Sequence, residues 1–200
     1  MAYLTIYTAD AAPAETLATG NAGEIGEALA ARGVTYARWP LAEELADDAP
    51  SDAVLEAYAE PIAQLSSEQG YVLVDVAALH PSTDPGWAAT AAAARQKFLA
   101  EHTHADDEVR FFASGSGIFY LHIDDEVLAV LGERGDLLSV PKGTTHWFDM
   151  GTQPDFTAVR FFRDEEGWVG EFTGDPISER IPDFDTIVAT RRARTLTEAN

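Results

Sequence analysis

Chemically active side chains are unusually dense in the stretch EHTHADDEVRFF, residues 101–112, which holds two histidines, four acids and one arginine. On a β-strand, alternate side chains share a face. If this stretch forms a strand, His102 and His104 point the same way, and Glu108 keeps the same parity. The spacing therefore predicts two imidazoles and one carboxylate on a single surface.

The same parity continues into Arg110 and Phe112, and a third imidazole follows later in the chain. His146 lies in HWFDM, about two predicted turns after the first strand, and Phe148 shares its face. Because two hairpins can bring a late strand beside an early one, His146 can join the first two histidines. Glu101 and Asp107 have the opposite parity and are predicted to be solvated.

Three imidazoles and one carboxylate are a distinctive ligand set for a divalent metal ion. They leave two positions free on an octahedral ion, whereas a structural zinc site is normally closed by four ligands. Imidazole suits iron, nickel, copper and zinc, and the carboxylate also admits manganese. Ordinary strand histidines are the alternative, and spacing alone leaves both interpretations open for this set. We assign His80 and His122 to the ordinary class.

The elements that must position these residues change character near residue 100. The N-terminal part mixes short strands with helices, including a helix over 21–33 that begins at Asn21 and ends at Gly33. A buried strand is predicted at 71–79, followed by an alanine-rich helix to about Leu99.

After residue 100, short strands alternate with turns at even spacing, as in an antiparallel sandwich or barrel. We expect a single domain over 1–200, with a helical and short-strand part at 1–98 and a metal-binding core at 99–175. A flexible tail is expected at 186–200, around its cluster of arginines.

Charge and composition exclude several classes of function. The net charge of −21 is spread evenly, with 14 acidic and 4 basic residues in 1–98 and 20 and 9 in 99–200. Such a surface repels nucleic acid and anionic lipid. The chain has no cysteine, which excludes disulfides, thiolate metal sites and thiol catalysis. The first residues lack the basic start and apolar core of a signal peptide, so we expect a cytoplasmic protein.

The stretch 101–150 resembles the metal-binding core of the cupin superfamily. Within it, HTHADDEVRFFASGSGIFYLHI and GDLLSVPKGTTHWFDMG, followed by EGWVGEFTGD, resemble the acireductone dioxygenase family. The resemblance is strong over roughly the C-terminal half of the chain. It implies a mostly β fold with flanking helices, a cupin double-stranded β-helix (jelly-roll barrel) with an N-terminal α/β decoration.

The resemblance also implies roles for individual residues. The implied metal ligands are His102, His104, Glu108 and His146. Arg110 would be catalytic and would bind the anionic oxygens of the substrate. Three aromatic residues would shape the substrate pocket: Phe98, Phe148 and Trp168.

The implied reaction is the cleavage of acireductone, an enediol ketone with a methylthio tail, by O2 in methionine salvage. One Fe(II) or Ni(II) ion per chain would be the cofactor. The iron form would give 4-methylthio-2-oxobutanoate and formate, and the nickel form 3-methylthiopropionate, formate and CO. The expected partners are this enediol and O2, with no nucleic acid or membrane, and we favour a monomer.

Two other functions fit the same ligands. One is a different metal cupin enzyme, acting on oxalate, a flavonol or another enediol. The other is a non-catalytic cupin that binds a small molecule or a sugar. The complete ligand set with Arg110 beside it argues against the second, because a degenerate binding module would be expected to lose a ligand.

Overall fold

A computed structural model describes residues 2–163 and 169–198 of the chain. None of the helices in these residues is both long enough and apolar enough to cross a lipid bilayer. Trp168, predicted to line the substrate pocket, lies outside the described residues.

Antiparallel strands make up most of the fold. In the described part of the chain they are β1 (Tyr3–Thr8), β2 (Glu15–Thr19), β3 (Thr35–Arg38), β4 (Leu73–Leu79), β5 (His102–Thr103), β6 (Glu108–Ile123), β7 (Glu126–Glu133), β8 (Asp136–Val140), β9 (Thr145–Asp149), β10 (Phe156–Phe162) and β11 (Glu171–Phe172). The helices are α1 (Ala22–Ala30), α2 (Ser51–Ala57), α3 (Ala59–Gln69), α4 (Trp87–Gln96) and α5 (Phe184–Glu198), with a 3₁₀ turn at Pro176–Glu179.

The predicted start of the first helix is confirmed. Asn21 is the N-cap of α1, and its side-chain oxygen accepts hydrogen bonds from the backbone N–H groups of Gly23 and Glu24. This satisfies two of the donors that a helix start leaves without an intrahelical partner. Gly33 follows the helix with φ of 75°, a conformation that favours glycine.

Strand β6 joins two sheets because it is long and bends in its middle. Its first part pairs with β8 and β10, and its second part pairs with β7 and β9. The bend lies at Gly115, whose φ is 63° and whose Cα packs so closely against Asp155 that a side chain would clash with the backbone. One sheet has the order β11-β5-β9-β6-β7-β1-β2, and the other contains β3, β8, β6, β10 and β4.

The N-terminal part is built into these sheets. Strands β1 and β2 extend one sheet beyond β7, while β3 pairs with β8 and β4 pairs with β10 in the other. Between the sheets lies a core of buried apolar side chains that includes Leu4, Phe119, Leu121, Leu128 and Val130. The two sheets are therefore built from both halves of the chain.

The C-terminal arginines lie on a helix, which differs from the expected flexible tail at 186–200. Helix α5 runs from Phe184 to Glu198. Arg191 makes two hydrogen bonds to the carboxylate of Glu133, and Arg194 binds Glu15. The arginine-rich composition suggested fraying, but these residues have acidic partners on the sheet.

Candidate metal centre and substrate cavity

Three imidazoles and one carboxylate converge at one end of the barrel. His102 on β5 is the cross-strand partner of His146 on β9, and His104 follows β5 in the next loop. Glu108 opens β6. The ligand atoms offered by these four residues all lie within 4.8 Å of one another. The structure thus brings together the four residues that the sequence singled out.

The local route to this arrangement differs from the single strand that the sequence analysis assumed. β5 ends at Thr103, and the chain turns before Glu108 begins β6 in the other sheet. Arg163 holds this turn, since it forms ion pairs with Asp106 and Asp107 at 3.2 and 2.8 Å. The parity argument selected the right residues, but a loop between two sheets, not one strand face, brings them together.

The three imidazoles are oriented alike by backbone carbonyl groups. The Nδ1 atoms of His102, His104 and His146 lie 2.7, 3.0 and 2.7 Å from the carbonyl oxygens of Ala100, Val169 and Thr144, respectively. A carbonyl oxygen only accepts, so each Nδ1 carries the hydrogen. Each Nε2 atom is therefore the one available to the cluster, which is how metal-binding histidines are usually held.

Glu108 divides its two carboxylate oxygens between different partners. Oε2 lies 2.9 Å from Nε2 of His146 and 3.1 Å from Nε2 of His104. Burial opposes ionisation of this carboxyl group, but the Arg110 charge and the two histidines outweigh it, so the pKa of Glu108 lies well below its ordinary value. Glu108 is a carboxylate at neutral pH.

The protonation of the histidines follows from their surroundings. Burial lowers the pKa of His102. Burial also disfavours the charged form of His104, but hydrogen bonds with Glu108 and Val169 and the charge of Glu108 together outweigh it and raise the pKa of His104. His102 is therefore neutral at neutral pH and ready to donate its Nε2 lone pair.

The donor set fits a divalent cation. His104 and His146 each have an oxygen acceptor at both ring nitrogens, which requires either a doubly protonated ring or a cation between Nε2 and the carboxylate. With bonds of about 2.1 Å, neighbouring ligands of an octahedral ion are about 3 Å apart, close to the separations of 2.9 and 3.1 Å at Glu108. Three imidazoles and one carboxylate suit iron and nickel.

Arg110 is the fixed cation of the site. Its side chain is only 12% exposed, and Nη2 lies 2.9 Å from Oε1 of Glu108. Burial lowers the pKa of Arg110 to about 10, although Glu108 favours the charged form. The guanidinium therefore stays charged at neutral pH and faces the cavity beside the histidine cluster.

A cavity of about 450 Å³ opens from this cluster, and its lining changes from charged to apolar with distance from Glu108. On the β6-β10-β4 face, Arg110, Arg160 and Asp75 are cross-strand partners in one row. The next row away from Glu108 is apolar. It consists of Phe112, Ala158 and Ala77.

The opposite wall of the cavity completes its apolar part. Phe148 and Met150, which follow His146, line it. The Phe148 ring contacts the rings of Phe119 and Phe156, with centroid distances of 4.9 and 5.8 Å. An anionic group can thus lie near the histidines and arginines while an apolar group extends between the aromatic rings.

Two of the predicted pocket aromatics line the cavity. Phe148 lies inside it, and Phe98 lies at its mouth with 38% of its surface exposed. The carbonyl oxygen of Phe98 accepts a hydrogen bond from the backbone N–H of Phe148 at 3.0 Å, which ties the mouth to β9.

A second arginine, which was not among the predicted site residues, lies in the cavity. Arg160 lies beside Arg110, and its guanidinium pairs with Asp75 through hydrogen bonds of 2.6 and 2.5 Å. The strand FTAVRFF contained the signal, because Arg160 shares its parity with Phe156 and Ala158 on a predicted buried strand. An arginine in such a position needs an anionic partner.

Glu101 was predicted to be solvated, and this is wrong. Its side chain is 3% exposed and accepts hydrogen bonds from His122 at 2.6 Å and Thr173 at 2.5 Å.

His122 thus pairs with Glu101, and His80 forms hydrogen bonds with Asp155 and Thr157, away from the cluster. Both histidines outside the ligand set therefore have ordinary hydrogen-bonding roles, as predicted.

Comparison with known proteins agrees with this geometry. The model of the ARD/ARD' family matches residues 41–170. The acireductone dioxygenase of Frankia alni is 60% identical over 187 residues, which cover 94% of this chain and 91% of that protein. The chain belongs to the ARD/ARD' family. A second relative, the acireductone dioxygenase of Saccharopolyspora erythraea, is 51% identical over 191 residues, 96% of this chain and the full length of that protein.

A solved structure in the ARD/ARD' family has the same fold. The acireductone dioxygenase of Bacillus anthracis, with a cadmium ion in its active centre, superposes with a TM-score of 0.71 at 31% identity. The match covers 86% of this chain and 98% of the other. It confirms the mostly β cupin fold with flanking helices that the sequence predicted.

Proposed function

We propose that this protein is a metal-dependent dioxygenase that cleaves acireductone with O2 in methionine salvage. The observation that carries the proposal is the convergence of three Nε2 atoms and one carboxylate beside a buried arginine, at the polar end of a cavity whose other end is apolar. Its relatives named acireductone dioxygenase support it across nearly the whole chain.

His102, His104, Glu108 and His146 would hold one Fe(II) or Ni(II) ion per chain. When bound, the ion supplies a Lewis acid and a template for two substrate oxygens. The carbonyl groups that accept from the three Nδ1 atoms fix the imidazole rings. Arg110 fixes the carboxylate of Glu108 through Oε1, which leaves Oε2 facing the cluster.

Arg110 binds the ionised enediol. A guanidinium offers several N–H donors in a planar fork, which suits paired oxygens better than the single ammonium of lysine. The positive charge matters because the chain as a whole carries a net charge of −21. The ion pair with Glu108 holds the guanidinium in place at the polar end of the cavity.

The apolar row holds the methylthio end. Phe112 and Phe148 line this part of the cavity, and thioethers make favourable contacts with aromatic rings. Ala158 and Ala77 leave space in the same row. With the tail in place, these side chains exclude water from the polar end.

The loaded ion sets the products in this proposal. Iron would give 4-methylthio-2-oxobutanoate and formate, and nickel 3-methylthiopropionate, formate and CO. In both cases the products contain all the atoms of the substrate and of one O2. The same four ligands serve both reactions. We also propose that the enzyme acts as a monomer, since one chain supplies the four ligands and the cavity wall. We further propose that it acts in the cytoplasm.

The test is oxygen uptake and product analysis after separate reconstitution with iron and nickel. Synthetic acireductone is added anaerobically before oxygen is admitted, and oxalate and a flavonol are tested in parallel. The proposal expects stoichiometric uptake with acireductone and metal-dependent products. Uptake only with oxalate or a flavonol would support another metal cupin enzyme. Failure to bind a transition metal under any loading would support a non-catalytic binding protein.

A further inference from the structure

Two glycines face each other where β6 and β7 pair behind the cavity. Gly117 and Gly132 are direct cross-strand partners. Neither belongs to the glycines of the described chain that have positive φ. Backbone conformation therefore does not require glycine at these two positions, because alanine could adopt the same φ angles.

Neighbouring aromatic rings fill the space that side chains would occupy there. A Cβ atom on Gly117 would lie 2.6 Å from Cε2 of Phe148 and still closer to its Cζ. A Cβ atom on Gly132 would lie 2.8 Å from Cδ2 of Phe112 and closer to its Cε2. Separations this short force the rings to move.

The same two rings form part of the wall of the substrate cavity. On their other sides they are packed in the barrel core, where Phe112 is 1% exposed and Phe148 contacts two further rings. Protein interiors are close-packed and resist added volume. A ring pushed away from the glycines therefore moves towards the open space, which is the cavity.

We propose that the glycine pair Gly117 and Gly132 is a specificity determinant that sets the length and width of the substrate tail. Because the two glycines have no side chains, the rings of Phe112 and Phe148 pack directly against the sheet. This packing keeps the apolar end of the cavity open. The proposal rests on the proposed function for the identity of the substrate. Residues at these two positions contact no substrate and act only through the rings.

The experiment compares Gly132→Ala and Gly117→Ala with wild type on acireductones that differ only in the tail. A methyl tail, the methylthioethyl tail and a straight hexyl tail are suitable. Gly26→Ala on α1 is the matched control, because a Cβ there meets no atom within 4 Å. Metal content is measured for every variant, and we expect it to be unchanged.

In each glycine variant, kcat/KM for the hexyl tail should fall at least tenfold relative to kcat/KM for the methyl tail. A purely structural role would lower both values together. The ratio in Gly26→Ala should match wild type. A ratio within twofold of wild type in both Gly117→Ala and Gly132→Ala would overturn the proposal.

Phe112→Leu keeps the proposal testable if the glycine variants fail to fold. The smaller side chain should raise the hexyl-to-methyl ratio, and in the double variant with Gly132→Ala it should restore the wild-type ratio. An unchanged ratio in Phe112→Leu would contradict the assignment. Coupling between the two positions is expected because they are in contact.

A binding measurement separates this inference from the proposed function. Straight-chain carboxylates of four to ten carbons are titrated anaerobically into metal-loaded wild type and Gly132→Ala. The longest carboxylate that binds should be shorter in the variant. If wild type turns over no acireductone of any tail, the proposed function fails, yet this length profile still tests the glycine pair. Identical profiles would refute it.

Discussion

Arg110 and Glu108, two residues apart on β6, form a buried ion pair in which Nη2 lies 2.9 Å from Oε1. This contact determines the orientation of the Glu108 carboxylate. With Oε1 held by the guanidinium, Oε2 faces His104 and His146. The arginine thus orients the carboxylate of Glu108 and also presents charge to the cavity. These two roles can be separated by substitution.

Replacing Arg110 with lysine should keep the metal and weaken catalysis. Lysine preserves the charge beside Glu108 but loses the planar fork that matches two oxygens. A lost charge-assisted hydrogen bond costs about 1.5–3 kcal/mol, so kcat/KM should fall about tenfold to a hundredfold. Steady-state kinetics and metal analysis check this result.

The matched control is Arg32→Lys, because Arg32 pairs with Glu126 far from the cavity. Its kinetics should equal those of wild type. Wild-type kinetics in Arg110→Lys would remove Arg110 from the mechanism.

Replacing His104 with alanine should abolish metal binding and activity while the fold survives. The side chain is 9% exposed and lies in a loop, so its loss leaves the sheets intact. A ligand present at a hundred times its Kd stabilises a protein by about 2.7 kcal/mol. Thermal unfolding should show a metal-induced rise in Tm for wild type and for His80→Ala, but none for His104→Ala. Stoichiometric metal and full turnover in His104→Ala would refute the ligand assignment.

Glu133→Gln should destabilise the protein near neutral pH but have little effect in acid. Burial opposes ionisation of Glu133, but hydrogen bonds and charge from Arg191 outweigh it, so the pKa of Glu133 is lowered from 4.5. A carboxyl group with a lowered pKa stabilises the fold above its unfolded pKa, and this stabilisation is lost as the pH falls through the folded value.

Chemical denaturation of metal-free protein at pH 7 and at the lowest pH at which the protein stays folded measures the effect of Glu133→Gln. The loss at pH 7 should be on the order of 1 kcal/mol, because the pair is partly exposed. Glu27→Gln, on the exposed side of α1, is the control. An equal loss at both pH values would show that the charge of Glu133 is not what stabilises α5.

Arg163→Ala should weaken metal binding without removing a ligand. Arg163 pairs with Asp106 and Asp107 in the turn between His104 and Glu108. Loss of groups that orient metal ligands typically costs about tenfold to a hundredfold in affinity, and we expect about tenfold here. Competition with a chelator of known affinity measures the change. Unchanged metal affinity in Arg163→Ala would show that the turn does not depend on this side chain.

The sequence singled out the four candidate residues because imidazoles are rare in this chain and two of its five lie two residues apart, while the family resemblance implied their role as metal ligands. The sequence could not give the path of the backbone between His104 and Glu108, since that turn is held by Arg163, which follows β10 far along the chain. It also could not place Glu101, whose burial depends on His122 and Thr173 reaching it from other elements.

Long-range partners also explain the C-terminal segment. Its composition suggested a frayed tail, because three arginines lie within four residues, 191–194. Glu133 and Glu15, far away in the chain, neutralise Arg191 and Arg194 and hold the helix against the sheet. No local pattern contains such a pairing. The four candidate ligands, by contrast, could be singled out from residue type and approximate spacing, and the family resemblance then implied that they bind a metal.

The most direct test of the central claim is anomalous diffraction at the nickel absorption edge from crystals of the nickel-loaded protein. The account predicts one peak per chain, at bonding distance from Nε2 of His102, His104 and His146 and from Oε2 of Glu108, with two coordination positions open to the cavity. A peak away from these four atoms, or one closed off by further protein ligands, would contradict it.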